Sequence, residues 1–306
     1  MLINQTNVEE VFRNVRATFN RALAAAETRH QHFATVLDTD QIVEKMDWVG
    51  SLPNWRKWVG DKVLNAMAAH TYSLTCEEYE SSIAVKRRDL EADRLGIYRI
   101  QATSQGELAA YFPDERVADA INDAFTATCW DGKPFFATDH PTEHKDGTPA
   151  TYSNMGATPL SAATQAAAIA SLGAGLQALR GMKNDRGRPV RIRDIRLLVP
   201  TALADVANVL ATNDRLEDGK PNPYKGVVQV EVWEELTSDT AWFLMGEAGG
   251  LRPIVLVQRK RPTTAEVTDP NDSHVVRSGE FIFSIEADAV AGYTLPQLAW
   301  GSTGEG

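Results

Sequence analysis

The middle of this 306-residue chain carries apolar side chains at helical spacing over an unusual length, which predicts one helix from Ile100 to about Phe125. Pro113 interrupts this pattern, and a proline kinks a helix because it lacks an N–H and crowds the preceding turn. A helix of about 25 residues is roughly 35–40 Å long, well above the usual three turns. The apolar positions are Ile100, Leu108, Tyr111, Phe112, Val117, Ile121, Ala124 and Phe125. Such a helix needs other elements packed along much of its length.

The length of 306 residues predicts one large domain or two smaller ones. The composition is that of an ordinary soluble protein, because 43% of the residues are hydrophobic and 24% are charged. The formal net charge of −10 argues against a general nucleic-acid binder, which needs excess Lys and Arg. There is no apolar run long enough for a membrane span, and the N-terminus lacks the features of a signal peptide. We therefore expect no membrane partner, and a chain that stays in the cytoplasm where it is made. Two cysteines are too few for a disulfide framework.

An amphipathic N-terminal helix is predicted from Asn7 to about Thr28, since Asn7 and Glu10 have capping-box spacing. Its apolar positions are Val8, Val11, Phe12, Val15, Phe19 and Leu23. This apolar face must be buried, either against the same chain or against a neighbouring subunit.

The segment from Phe33 to Val85 is dense in tryptophan and lacks a period long enough to enclose a core of its own. Short strands are predicted at Phe33–Leu37 and Tyr79–Val85, and a two-stranded excursion of this kind needs a surface to lie on. Its tryptophans are Trp48, Trp55 and Trp58. They either belong to the main core or form contacts between subunits, where Trp is enriched.

The rest of the chain predicts an α+β protein, since its helices and strands show no regular βαβ alternation. Ser161 is the predicted cap of an alanine-rich helix in which Gly173 and Gly175 permit close packing. Residues Thr142–Pro159, Asn213–Lys225 and Thr263–Arg277 are predicted loops. The predicted strands are Ile195–Val199, Val227–Trp233, Ala241–Met245, Ile254–Gln258, Glu280–Glu286 and Ala289–Leu298.

One group of side chains resembles a metal site, but its pattern is incomplete. It comprises Cys129, Asp139, His140 and His144. A structural zinc site has four Cys or His ligands at recognisable spacing, and this loop does not supply them. We expect His140 to be hydrogen-bonded within a tight loop instead. The chain also lacks a phosphate-binding glycine loop and a nucleophile elbow, so no catalytic residue, cofactor site or metal site is predicted, and the chain is not expected to be an enzyme.

Several segments in a fixed order resemble one family. They are Val85–Tyr98, Cys129–Pro141, Leu197–Pro200, Asn222–Gly226, Trp242–Leu244 and Phe281–Trp300. In this order they are similar to the Mu-like prophage major head subunits, the gpT family of major capsid proteins. The most specific segment is Asp-Gly…Phe-Phe…His-Pro, between Asp131 and Pro141.

This resemblance implies the Hong Kong 97-type capsid fold. Residues 1–40 would form an N-terminal arm and 41–85 an extended loop. Residues 86–155 with 265–306 would form the peripheral domain, whose spine is the long helix, and 156–264 the axial domain. The function implied is a major head protein of a Mu-like tailed bacteriophage or prophage.

The same resemblance implies partners and a location. Copies of the chain would assemble into pentamers and hexamers of an icosahedral shell, together with a scaffolding protein, a maturation protease and a portal. The shell would enclose double-stranded DNA without reading its sequence, and assembly would occur in the cytoplasm of the host bacterium. Because no long segment precedes the arm, we expect the scaffolding protein to be a separate chain.

Two alternatives remain open from the sequence. The first is an encapsulin-like nanocompartment shell with the same fold, which would enclose enzymes instead of DNA. The second is a metal-dependent hydrolase that uses Asp139, His140 and His144.

Overall fold

The computed structural model describes residues 3–46, 49, 72–92, 95–143, 148–160, 164–184, 187–217 and 219–306. Its helices are α1 (Gln5–Ala25), α2 (Arg87–Glu91), α3 (Leu95–Asn122), α4 (Gln165–Arg180), α5 (Ala204–Thr212) and α6 (Ser273–Ser278). The strands of the first half are β1 (Ala34–Asp38), β2 (Val43–Lys45), β3 (Ser73–Thr75), β4 (Glu77–Lys86), β5 (His140–Glu143), β6 (Pro149–Tyr152) and β7 (Met155–Gly156). Those of the second half are β8 (Arg193–Val199), β9 (Gln229–Val232), β10 (Trp242–Glu247), β11 (Ile254–Val267), β12 (Glu280–Tyr293) and β13 (Ala299–Ser302). This order confirms the predicted α+β class.

The long helix is confirmed, with bounds shifted towards the N-terminus. Helix α3 has 28 residues, and a single 3-10 turn over Asp123–Phe125 follows it. Pro113 lies inside α3 and is buried, and the helix continues through it. The lack of an N–H at Pro113 therefore does not end the helix. The kink expected at this proline remains a prediction.

Helix α1 buries its apolar face within the same chain. Its N-cap is Asn4, not the predicted Asn7, and the Asn4 side chain accepts a hydrogen bond from the Asn7 N–H. The face packs against α3 and β12. Aromatic contacts are part of this packing, since the Phe12 ring lies 6.3 Å from that of Phe281 and the Phe19 ring 6.0 Å from that of Phe283.

A glycine permits the close approach of α1 to α3. A Cβ atom built on Gly106 of α3 would lie 2.5 Å from the Phe19 carbonyl oxygen and 2.7 Å from the Ala22 Cβ. Both of these atoms belong to α1. The two helices would therefore have to move apart to admit any residue larger than glycine at position 106.

The first sheet has four strands in the order β1-β11-β12-β4. Strands β11 and β12 have 14 residues each and pair antiparallel over most of their length. The predicted loop Thr263–Arg277 is wrong at both ends, because β11 extends to Val267 and α6 follows. The predicted break near Ala287 is also wrong, since Glu280–Tyr293 is one strand. The later residues of β11 are polar and show no strand pattern in the sequence. They form a strand because they pair with β12.

The second sheet has five strands in the order β7-β13-β10-β8-β9, with α4 and α5 on one face. Thr164 caps α4 and accepts a hydrogen bond from the Ala167 N–H, whereas the predicted cap, Ser161, lies outside the described residues. A Cβ on Gly175 would lie 3.0 Å from the Trp242 and Trp300 rings, which confirms the predicted close packing of α4.

The segment Thr142–Pro159 is not the continuous loop that we predicted. It contributes to a two-stranded hairpin, β5 with β6, and to the short edge strand β7, which pairs parallel with β13. The β-pattern was missed because these strands are short and rich in Gly, Thr, Pro and Asn. The loop predicted at Asn213–Lys225 is confirmed, apart from one isolated bridge between Arg215 and Pro221.

The main core lies between the two sheets and the C-terminal half of α3. Its members include Phe33, Val117, Ile121, Phe135, Phe136, Leu198, Trp233, Phe243, Leu256 and Tyr293. The predicted domain limit at 264/265 falls inside β11. Strand β13, which lies in the predicted peripheral range, pairs with β10 of the predicted axial range. In the described part of the chain, no helix is both long and apolar enough to span a membrane.

We predict that Gly106→Ala destabilises the protein by about 1–3 kcal/mol, because the added methyl group forces α1 away from α3. Gly96→Ala is the matched control in the same helix, since a Cβ there has no neighbour within 4 Å. The control is expected to be neutral or more stable by up to about 1 kcal/mol, as alanine favours a helix over glycine. Thermal and urea unfolding of both variants measure this difference. Equal stability of the two variants would contradict the close packing of α1 on α3.

Candidate functional site

The loop between α3 and β5 forms a tight turn around the Asp131 carboxylate. One carboxylate oxygen accepts hydrogen bonds from the Cys129 thiol at 3.1 Å and from the Lys133 N–H at 2.9 Å. Gly132 has a φ of 80°, a left-handed conformation that glycine adopts without strain. The Asp-Gly signal in the sequence therefore corresponds to a turn that places a carboxylate under the protein surface, where its side chain is only 2% exposed.

His140 lies on the other side of this carboxylate and is fully buried. Its Nδ1 lies 2.6 Å from the second Asp131 oxygen, and its Nε2 lies 3.2 Å from both the Phe135 carbonyl oxygen and the Asn154 Oδ1. Both ring nitrogens therefore face oxygen atoms, and the contacts with Asp131, Phe135 and Asn154 hold the ring from both sides. The expectation that His140 is hydrogen-bonded in a tight loop is confirmed.

Asn154, also fully buried, connects this loop to the end of the chain. Its side-chain amide donates to the carbonyl oxygens of Phe135 at 2.8 Å and Pro296 at 3.1 Å, which fixes the amide orientation. Its Oδ1 accepts from the Ala137 N–H at 3.0 Å, and its backbone carbonyl accepts from Gly301 of β13. The polar cluster thus joins the end of α3 to the five-stranded sheet.

The surroundings shift the pKa values of the groups in this cluster in opposite directions. Burial raises the pKa of the Cys129 thiol, and its hydrogen bond to Asp131 raises it further. Burial also raises the pKa of Tyr152, whose ring stacks on His140 at 5.0 Å. For Asp131, burial alone would raise the pKa, but hydrogen bonds from His140, Cys129 and Lys133 together lower it. The thiol therefore stays protonated, which disfavours both a nucleophile and a metal ligand.

The metal-site hypothesis is not supported by this geometry, and its predicted membership needs correction. Asp139 lies at the surface, 54% exposed, where it pairs with Lys133 instead of joining the cluster. His144 lies outside the described residues. Within the described ranges, the closest grouping of potential ligands is Cys129, Asp131 and His140, whose ligand atoms lie within 4.8 Å of one another. Those atoms already bond to each other or to the backbone, so a metal ion would have to displace hydrogen bonds to bind.

The exposed apolar residues identify a different kind of site. Helix α3 carries four of them, Ile97, Ile100, Leu108 and Tyr111, and the others in the described ranges are Ile42, Val43 and Val276. Three of those on α3, namely Ile100, Leu108 and Tyr111, belong to the apolar pattern that predicted the helix. The helical period was correct, but apolar positions spread over more than one face, and periodicity alone does not show which face the core covers. An exposed apolar row on a long helix is typical of an interaction surface.

Strand β4 provides a second candidate contact surface. It pairs with β12 on one side, and no described strand lies along its other edge. Over its ten residues it carries Glu77, Glu78 and Glu80, charges of the kind that protect an exposed edge from unwanted pairing. Trp48, Trp55 and Trp58, the predicted contacts between subunits, lie outside the described residues and remain a prediction.

A family model described as the Mu-like prophage major head subunit gpT matches residues 8–164, 160–236 and 231–305. The Mu-like prophage FluMu major head subunit of Haemophilus influenzae is 24% identical over 292 residues, which cover 95% of this chain and 71% of that protein. The major capsid protein of Escherichia phage Mu is 22% identical over 299 residues, 98% of this chain and 74% of that protein.

Solved structures show the same fold at low identity. A chain of the bacteriophage JBD30 procapsid superposes with a TM-score of 0.64 at 23% identity, covering 98% of this chain and 76% of that one. A chain of the virus-like particle from Pyrococcus furiosus gives 0.56 at 11% identity, covering 95% and 98% of the two chains. At these identities the likeness concerns the fold alone.

We predict that Asp131→Asn lowers the unfolding free energy at pH 7 by about 3 kcal/mol, since it leaves His140 buried without its charged partner. The pKa of Asp131 in the folded chain lies below its ordinary value of 3.8, so its contribution is present above that value and is lost as the pH falls through the folded pKa. The wild type should therefore lose more stability than the variant on acidification from about pH 5 to pH 2. Urea unfolding at several pH values measures both effects.

Asp139→Asn is the matched control, because it removes an exposed carboxylate that pairs with Lys133. Its effect should stay within about 1 kcal/mol, as is usual for surface ion pairs. If Asp131→Asn behaved like this control at every pH, the buried pair would not contribute to stability.

Proposed function

This chain belongs to the Mu-like prophage major head subunit gpT family, and we propose that copies of it build the pentamers and hexamers of an icosahedral phage shell. It is a major capsid protein with the Hong Kong 97-type fold. The observation that carries the proposal is the family match from residue 8 to residue 305, which leaves almost none of the chain for another function. A structural role without catalysis follows from the same membership.

Features of the chain itself support assembly. Helix α3 presents apolar side chains to solvent, among them Ile100 at 73% exposure, and β4 has an unpaired edge among the described strands. Free edges and exposed apolar rows are surfaces that other copies cover in a closed oligomer. The buried polar cluster around His140 contributes by holding the loop after α3 rigidly against the second sheet.

The division into subunit parts is also proposed, with two changes. Residues 1–40 form the arm, 41–85 the extended loop, 86–155 with 265–306 the peripheral domain and 156–264 the axial domain. Strand pairing favours moving 254–264 to the peripheral part, because they continue β11, and moving 299–302 to the axial part, because they pair with β10.

The proposed partners follow from the family. They are a scaffolding protein, a maturation protease, a portal and enclosed double-stranded DNA, with assembly in the cytoplasm of the host bacterium. The net charge of −10 supports enclosure of DNA without tight binding to it. It also means that copies of the chain repel one another, more weakly as salt screens the charge.

The alternatives are less well supported. A nanocompartment shell would share the fold, but the family match and both curated relatives are phage head subunits or capsid proteins. The hydrolase hypothesis loses its basis because Asp139 lies at the surface, away from the buried His140.

We predict that the purified full chain forms shells, tubes or capsomer rings visible by negative-stain electron microscopy. The fraction of assembled protein should rise with ionic strength, because salt screens the repulsion between copies that each carry a charge of −10. A protein that stays monomeric at all salt and protein concentrations would contradict the assembly function.

We predict that replacing both Trp55 and Trp58 with Ala leaves the thermal transition of the subunit intact while impairing the assembly or stability of particles. The reason is that these tryptophans are proposed to contact neighbouring subunits. Trp233→Ala is the contrasting control, since Trp233 is 1% exposed and lies in the main core. It should cost about 3–5 kcal/mol of stability. A loss of that size in the Trp55 and Trp58 variant would assign those residues to the core instead.

A further inference from the structure

The exposed apolar residues of α3 form one straight row, which we call the α3 stripe: Ile97, Ile100, Ser104, Leu108 and Tyr111. At 100° per residue these five positions fall within an arc of about 80° on the helix surface. Its apolar members are 58%, 73%, 55% and 40% exposed in that order, and Ser104 is exposed as well. The stripe carries no charged residue, in a chain with a net charge of −10.

The spacing of the stripe is palindromic. Counted from the N-terminal end, the steps between members are three, four, four and three residues, so Ser104 lies at the centre. When two copies of α3 meet antiparallel at Ser104, Ile100 of each copy lies beside Leu108 of the other, and Ile97 beside Tyr111. A contact related by a twofold axis requires this kind of self-complementarity, in which residue i meets residue j and j meets i.

The centre of the stripe suits a close crossing of two helices. Ser104 is its smallest member, and small side chains at a crossing allow helices to approach to the short end of the usual range of about 8–10 Å. The stripe is a ridge between two grooves. One is lined by α1 together with Arg99 and Thr103, and the other by Phe112 with Pro262. A partner helix can therefore lay its own ridge into a groove beside this one.

We propose that α3 of one copy pairs antiparallel with α3 of a second copy, across a twofold axis at Ser104. This inference rests on the proposed assembly function, and adds to it which surface of the subunit meets which. The second copy is favoured because the stripe complements itself and because the other exposed apolar residues of the described chain, on β2, α6 and at Ile42, do not form a helical row of this length. From Ile97 to Tyr111 the contact is only about 21 Å long.

So short a contact does not hold a dimer by itself. Four partly exposed apolar side chains and a serine bury much less than the roughly 800 Å² per partner of a standard stable interface. The pairing therefore belongs to an assembly in which each copy makes other contacts at the same time, and it is tested in assembled particles.

Cysteine crosslinking tests the geometry directly. In particles of Ser104→Cys, the two facing Cα atoms should lie about 3.5–5.5 Å apart, from a helix separation of about 8–10 Å and a Cα radius of 2.3 Å. That range overlaps the disulfide range, so mild oxidation should give a disulfide-linked dimer on a non-reducing gel. Gln101→Cys is the matched control, because its two copies lie about 9 Å apart along the helix axes and should give at least tenfold less dimer. The native Cys76 and Cys129 are buried, so wild-type particles give the background.

A mixing experiment fixes the direction of the helices. Particles assembled from a mixture of Ile100→Cys and Leu108→Cys copies should crosslink, whereas particles of either variant alone should not. Crosslinking of each variant with itself would indicate a parallel pair and would overturn the proposal. So would a Ser104→Cys crosslink to a chain of another mass, or no Ser104→Cys dimer in well-formed particles.

Steric bulk provides a measurement that does not depend on oxidation. Ser104→Arg should reduce the yield of particles at least tenfold while leaving the thermal transition of the subunit unchanged, and Gln101→Arg should assemble normally. Normal assembly of Ser104→Arg would overturn the pairing while leaving the capsid function intact. Failure of the wild-type chain to assemble would instead overturn the proposed function, and the pairing with it.

Discussion

The packing of α3 against α1 and the four-stranded sheet determines where the other elements lie. Its N-terminal half buries Ala102 and Ala109 against α1, and its C-terminal half buries Val117 and Ile121 in the main core between the sheets. Full burial of an aliphatic side chain of this size contributes roughly 1.5–3 kcal/mol. The Tyr293 hydroxyl, at the end of β12, donates to the carbonyl oxygen of Ala120 at 2.7 Å and so fixes the helix along the sheet. The helix is therefore a support that both sheets share.

The local pattern of apolar residues was sufficient to predict an element where that element buries its apolar residues in a regular way. Helix α1 is an example, because Val8, Phe12 and Phe19 keep the helical period and have one face to bury. Strand β8 is another, since Ile195–Val199 is a run of mostly buried residues that lies between β10 and β9 in its sheet. In both cases the signal comes from residues that are neighbours in sequence. These elements were predicted to within a few residues.

Partners from distant parts of the chain decided what local pattern could not. The polar residues of β11 after Gln258 form a strand because β12 pairs with them. The role of Asp131 depends on its contact with His140, whose other ring nitrogen contacts Asn154. Only the folded chain shows this arrangement, and the sequence led to Asp139 instead. Distant parts of the chain also decide which side of α3 is exposed. Ile100 and Leu108 fit the helical pattern, but the elements that cover α3 lie on its other sides.

A shell protein needs contacts that are numerous and individually weak. Each copy of this chain carries a net charge of −10, so any single small contact between copies must overcome repulsion as well as the entropy lost on association. A weak contact also releases a wrongly placed subunit, which a strong one does not. The rigid part of the molecule, with the buried Asp131–His140 pair and the close packing at Gly106, keeps the contact surfaces in fixed relative positions. Small uncharged surfaces on a rigid subunit thus combine into a stable closed shell only when many form together.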